Sequence, residues 1–204
     1  MLTTNDIRSF HRAAVLASVD IVNNVTPKDL HRATPCDGWD LSHLLAHMTV
    51  QHHGFAAAAR GDGADPARWD TATVADVVAI DPAGTYAAAA ADVLDAFADD
   101  GVLAASFALP EFGQGAAFPG SQAIGFHFVD YVVHGWDVAR AINAPFMLPA
   151  DVIAAALPLV FAVPDGDFRA APGSVFAPAI AAGEPISDLD RALLHLGRSP
   201  AWTR

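Results

Sequence analysis

The sequence predicts an all-α protein, an antiparallel four-helix bundle with a C-terminal extension ending in a short helix. Three observations carry this reading. Apolar residues recur at helical spacing in four long segments. Strand-like patterning is confined to one short stretch, VLAASFAL at 102–109. Pro, Gly and Asp concentrate between the helical segments, where they punctuate the chain.

Each element has its own justification. Residues 3–25 place Ile7, Phe10, Ala14, Leu16, Val19 and Val22 near helical spacing, with Thr3, Thr4 or Asn5 available as caps. TPKDLHRATPCDGW (26–39) reads as a compact loop. The second helix starts at Asp40, an N-cap residue. Its apolar stripe is Leu41, Leu44, Leu45, Met48 and Phe55, and Gly61 and Gly63 end it. TYAAAAADVLDAFADD (85–100) has high helix propensity and makes the third.

The fourth and most hydrophobic helix begins between Pro119 and Ser121 and runs to Asn143, with Pro145 and Pro149 beyond it. The texture then changes. ADVIAAALPLVFAV (150–163) reads as a helix interrupted at Pro158, and Ser187 caps a short terminal helix. The expected division is a helical bundle over 1–148 and an extension packed on it over 149–204. In bundles, sites are built from side chains on facing helices.

Composition narrows the function. The 204 residues carry a net charge of −12 with only 11 basic residues, which argues against nucleic acid or an anionic membrane as partner. No unbroken apolar run is long enough to span a bilayer, and the N-terminus lacks a secretory pattern, so a cytoplasmic protein is expected. Cys36 is the only cysteine, so no internal disulfide forms. Nine histidines in an acidic chain are the conspicuous feature.

HFVDYVVHGWDVARAIN (127–143) concentrates that chemistry. His127, Asp130, His134 and Asp137 are spaced i, i+3, i+7, i+10, which stacks them along one helical stripe. Such a stripe is ordinarily the solvent face of its helix. The other reading is a ligand set: Asp130 and His134, one turn apart, can hold one divalent ion, zinc first, with nickel, iron or manganese also compatible. A further ligand must come from elsewhere. The second helix offers His43, His47, His52 and His53, and periodicity leaves His47 and His52 both open.

Other residues receive smaller roles. His127, one turn before Asp130, is the candidate for proton transfer or for support of the site from behind. Asp137 either pairs with Arg140 or orients a ligand histidine. Trp39 is read as capping the bundle end, Trp136 as packing, and Cys36 as an incidental loop residue. No phosphate-binding Gly-rich loop, G-x-S-x-G elbow or Cys-x-x-Cys pair is present.

TPCDGWDLSHLLAHM (34–48) resembles the Thr-Pro-Cys-x-Gly-Trp…Leu-x-x-His signature of actinobacterial proteins related to mycothiol-dependent maleylpyruvate isomerase, within the DinB-like metal-binding superfamily. DYVVHGWDVARA (130–141) is similar to the second signature, an acidic residue, three residues, then His-x-Trp-Asp-x-Ala-Arg. The resemblance implies a four-helix bundle whose metal is held by His47, Asp130 and His134. Two departures stand out. The isomerase has Glu where this chain has Asp130, and the C-terminal segment does not match the isomerase's own C-terminal domain.

The implied function is that of a metal-binding transferase or isomerase acting on a small electrophile with mycothiol or a similar low-molecular-weight thiol. The alternatives are a metal-dependent hydrolase, or a non-catalytic bundle that binds small molecules or serves as an interaction module. The expected partner is a small-molecule substrate, and the expected state a monomer or homodimer.

Overall fold

The computed structural model describes residues 6–171, 174–181, 183 and 187–203. Among them are the helices α1 (Arg8–Val22), α2 (Leu41–Ala59), α3 (Ala75–Ile80), α4 (Pro82–Ala96), α5 (Gly120–Ala141), α6 (Ala150–Ala162) and α7 (Asp188–His195). A small antiparallel hairpin joins β1 (Ser106–Ala108) to β2 (Ala117–Pro119), with Phe107 opposite Phe118. The all-α expectation holds, and the one strand-like stretch of the sequence contains β1.

The four long helices α1, α2, α4 and α5 touch in a ring: α1 on α5, α5 on α2, α2 on α4, and α4 on α1. Their stripes meet in a core that includes Val15 and Val22 of α1, Leu41, Leu44, Leu45 and Met48 of α2, Tyr86 of α4, and Tyr131 and Val138 of α5. Burying each of the aliphatic side chains contributes about 1.5–3 kcal/mol.

Helix α5 explains its own hydrophobicity. It supplies residues to all four apolar clusters: Tyr131 and Val138 to the first, Ala123 and Ile124 to the second, Val129 and Trp136 to the third, and Phe128 and Val132 to the fourth. A helix covered on every side is apolar on every side. Helices α6 and α7 pack on each other, and α6 also packs on α5. Val160 of α6 and Leu193 of α7 share a cluster with Val133 and Trp136.

Several boundaries differ from expectation. The candidate caps Thr3, Thr4 and Asn5 lie outside the described residues. At the start of α1, Asp6 accepts a hydrogen bond from the Arg8 amide at 3.0 Å. Pro158 does not interrupt α6, which runs through it; proline removes one backbone donor, and the surrounding helix continues around that loss. Short α3 has only six residues, too few for its periodicity to register in the sequence.

Candidate metal centre

The loop before α2 is built to deliver one end of the site. Thr34 Oγ1 donates to the Trp39 carbonyl at 2.8 Å and accepts from the Cys36 amide at 3.2 Å. The chain turns at Gly38, and Asp40 then caps α2, accepting from the His43 amide at 3.0 Å and from Ser42 Oγ at 2.7 Å. This fixes the start of α2, and His47 follows two turns later. Trp39 is 37% exposed, and its ring lies 5.0 Å from the His47 ring.

Across from it, α5 presents Asp130 and His134. His134 Nε2 lies 3.3 Å from Asp130 Oδ1, and His47 Nε2 lies 3.9 Å from Asp130 Oδ2. One donor atom from each of the three falls within 4.8 Å of the others. A tetrahedral ion with bonds of 2.0–2.1 Å spaces its ligands by roughly 3.4 Å, so small side-chain movements close the set around zinc or a similar ion. Asp130 lies between the two imidazoles, one carboxylate oxygen toward each.

The polar stripe of α5 is not a wet face. His127 and Asp137 are fully buried, His134 is 6% exposed, and the Asp130 side chain keeps 24% exposure. These residues face other protein groups, and the solvent-face reading fails.

Asp137 meets His134 from behind, its Oδ2 lying 2.9 Å from His134 Nδ1. That contact leaves His134 Nε2 for the Asp130 side, the arrangement in which a carboxylate orients a ligand imidazole. Asp137 does not pair with Arg140, whose guanidinium donates to the Pro200 and Trp202 carbonyls. Its partner is Arg198, 61 residues away, with Nε at 3.2 Å from Oδ1. Cys36, expected to be incidental, is buried in the same group: Arg198 Nη2 donates to its sulfur at 2.8 Å, and the thiol lies 3.3 Å from Asp137 Oδ2.

The electrostatics follow from this packing. Burial pushes His47 down to about 4, against the pull of Asp130, which leaves its imidazole neutral at pH 7. Burial would also lower His134, but Asp130, Cys36 and Asp137 outweigh it and hold the imidazole well above its ordinary range. Burial would raise both carboxyls, yet His134 and Arg198 keep Asp130 and Asp137 below the usual carboxylate value, helped at Asp130 by His47.

The other candidate histidines go elsewhere. His43 sits at the surface and contacts its own cap, Asp40, at 2.7 Å. His52 and His127 meet in a buried cluster with His11: His127 Nδ1 lies 2.8 Å from His11 Nε2, and His127 Nε2 lies 3.2 Å from His52 Nδ1. His127 thus lies one turn from Asp130 along α5 with both ring nitrogens engaged. Two rim residues carry no motif that would single them out in the sequence. Gln51, one turn past His47, donates to Glu111 at 2.8 Å, and burial raises the Glu111 carboxyl.

The ring of four long helices is consistent with the DinB-like class of all-α folds. Within that class, residues 11–139 match the family model described as the mycothiol maleylpyruvate isomerase N-terminal domain, and the chain belongs to that family. Two uncharacterized proteins of Mycobacterium tuberculosis, from strains CDC 1551 / Oshkosh and ATCC 25618 / H37Rv, are each 28% identical to it over 189 residues. The match covers 93% of this chain and 96% of theirs.

The fold is similar to the crystal structure of the mycothiol-dependent maleylpyruvate isomerase, with a TM-score of 0.58 at 16% identity over 76% of this chain and 68% of that one. A histidine-to-alanine mutant of the isomerase gives 0.59 at 14% identity over the same shares. At such identities the likeness is one of fold. Among the described residues no helix is long and apolar enough to cross a membrane.

Proposed function

We propose that this protein holds a divalent ion, zinc first, through His47, Asp130 and His134, and uses it with a low-molecular-weight thiol to transfer or isomerise a small electrophile. Mycothiol is the thiol named for the related isomerase. The observation that carries the reading is the convergence of three metal-type donors from α2 and α5, within 4.8 Å of one another, in a chain of this family.

When bound at three protein ligands, such an ion lowers the pKa of a coordinated thiol and so raises its nucleophilicity at neutral pH. The protein's own residues supply the setting. Asp137 fixes the face that His134 presents. Trp39 walls the His47 side, and Glu111, held by Gln51, stands on the rim as a carboxyl able to exchange a proton with substrate. Of the two roles expected for His127, complete burial with both ring nitrogens bonded to His11 and His52 disfavours proton transfer and leaves the supporting role, one turn behind Asp130 on α5. The bundle over 1–148 carries the site, the extension over 149–204 packs on it, and the protein works in the cytoplasm.

The test is elemental analysis of protein purified without an affinity tag, alongside His47→Ala and His134→Ala. About one metal per parent chain, lost in both folded variants, supports the site. Thiol consumption with a panel of small electrophiles, abolished by chelation, supports the reaction class. A parent that stays metal-free after incubation with zinc, nickel and manganese overturns the proposal. Metal binding without thiol consumption leaves the site and overturns the reaction.

A further inference from the structure

The side chain of Arg198 enters the metal centre from outside the four-helix ring. Helix α7 ends at His195 with Leu196 as its C-cap; beyond it the Gly197 amide donates to the Leu194 carbonyl and the Arg198 amide to the Leu193 carbonyl at 2.8 Å. This is the paired bonding of a Schellman cap, and it needs the positive φ of +76° that Gly197 adopts. A Cβ at that position would lie 2.6 Å from Ala177 Cβ and 2.7 Å from the Ala177 carbonyl oxygen. The cap turns the chain back, and Arg198 runs inward, 6% exposed, to Asp137 and Cys36.

Three elements distant in sequence therefore close on one carboxylate. Arg198 Nε lies 3.2 and 3.3 Å from the two Asp137 oxygens, and Nη2 lies 3.3 Å from Oδ2. On its other side the same Oδ2 lies 2.9 Å from His134 Nδ1. A fully buried carboxylate needs an opposite charge, and it can orient an imidazole only if it stays ionised and fixed. Within the described residues Arg198 is the guanidinium that reaches it.

We propose that Arg198 is a positioning residue of the metal centre: through Asp137 it fixes the orientation of His134, so that metal loading and docking of α7 with its following turn are coupled. The inference rests on His47, Asp130 and His134 being the ligands. Coupling of this kind is reciprocal. A tail that orders His134 tightens metal binding, and bound metal protects the tail.

Two measurements test it. Zinc affinity, by competition with a chromophoric chelator, is compared in the parent, Arg198→Ala, Arg198→Lys and His47→Ala, with thermal melts run alongside. Amide hydrogen exchange across 188–198 is followed in the unaltered parent with and without zinc. Arg198→Ala is expected to weaken zinc binding by about 10–100-fold, the range for groups that orient ligands, and Arg198→Lys to recover part of that loss. Zinc is expected to slow exchange across 188–198 in the parent.

Arg198→Ala protein that melts earlier but binds zinc with parental affinity, or tail exchange indifferent to zinc, overturns the coupling and leaves the ligand set standing. A parent that binds no zinc, or binds it equally well in His47→Ala, overturns the ligand set itself.

Discussion

His11 Nε2 lies 2.8 Å from His127 Nδ1, and both rings are buried in the middle of the helical ring. His52 extends the chain on the far side of His127, and its own Nε2 has no hydrogen-bond partner among the described residues. Phe55, Phe97 and Tyr131 line the cluster through ring contacts. Neutral imidazoles, each with one donor and one acceptor, suit such a chain; charged ones do not.

Acid sensitivity follows from that cluster. Burial lowers His11 to about 3 and holds His52 and His127 well below the ordinary histidine value. The folded protein therefore refuses protons that the unfolded chain accepts below about pH 6.5. The stabilisation is complete above that pH and is lost as the pH falls toward the folded values. Each histidine contributes about 1.4 kcal/mol per pH unit, so the three together give a slope on the order of 4.

His47, lowered to about 4, adds in the same sense in metal-free protein. His134 is raised, so its contribution still grows as the pH falls from 7.0 toward 6.5, where it opposes the slope, and is complete and flat below that. Asp130 and Asp137 are lowered and act only below the carboxylate range. Urea unfolding of metal-free protein at pH 7.0, 6.0 and 5.0 checks this. Stability unchanged across that series would rule it out.

Trp39 should report metal binding. Its ring stands 5.0 Å from that of His47 and is partly open to solvent. Nickel titration is expected to quench tryptophan emission, and Trp39→Phe to lose most of that quenching while affinity changes by no more than a few-fold. Equal quenching in parent and variant would place the ion away from the Trp39 side of the bundle.

Thr34 tests how the first signature works. Its hydroxyl closes the loop by donating to the Trp39 carbonyl and accepting from the Cys36 amide. Thr34→Val keeps the shape and removes both bonds within a 6% exposed site. The expected loss is about 1–2 kcal/mol of stability, read from chemical denaturation at neutral pH. A loss near zero would mean that the turn is held without the hydroxyl.

The spacing on α5 makes half of the site legible. Asp130 and His134 are one turn apart, and any helix there puts them on one face. What spacing on a single helix cannot say is which neighbour supplies the opposite donor. His47 and His52 are therefore equivalent on periodicity, although one reaches Asp130 and the other joins His11 and His127. The same limit hides Arg198: local sequence offers Arg140, three residues from Asp137, whereas the buried pair spans 61 residues. Long-range partners depend on how α7 docks, and the sequence carries that only as a Gly after a short capped helix. The long helices are legible because each carries a full apolar stripe. The six-residue α3 holds too few repeats of any period to be told apart from loop, and the strand-like patterning of 102–109 marks the place of β1 without its three-residue bounds.

Gly120, the first residue of α5, controls where the whole helix sits. Its amide donates to the Ala105 carbonyl at 2.8 Å, tying the helix start to the chain just before β1. A Cβ there would fall 1.8 Å from the Val102 carbonyl oxygen and 2.9 Å from the Phe107 ring. The first of these contacts is with backbone, so no rotamer change relieves it, and either α5 or the 102–105 turn must shift. Gly120→Ala should therefore destabilise the protein by about 3 kcal/mol, at the upper end of overpacking penalties in a well-packed interior. Because α5 also carries Asp130 and His134, a shift of its N-terminal half should weaken zinc binding as well. Parallel denaturation and chelator competition separate the outcomes. Lower stability with parental zinc affinity would mean that the 102–105 turn yields while α5 stays in place, and parental stability would mean that the close approach of α5 to Val102 is relieved at no cost.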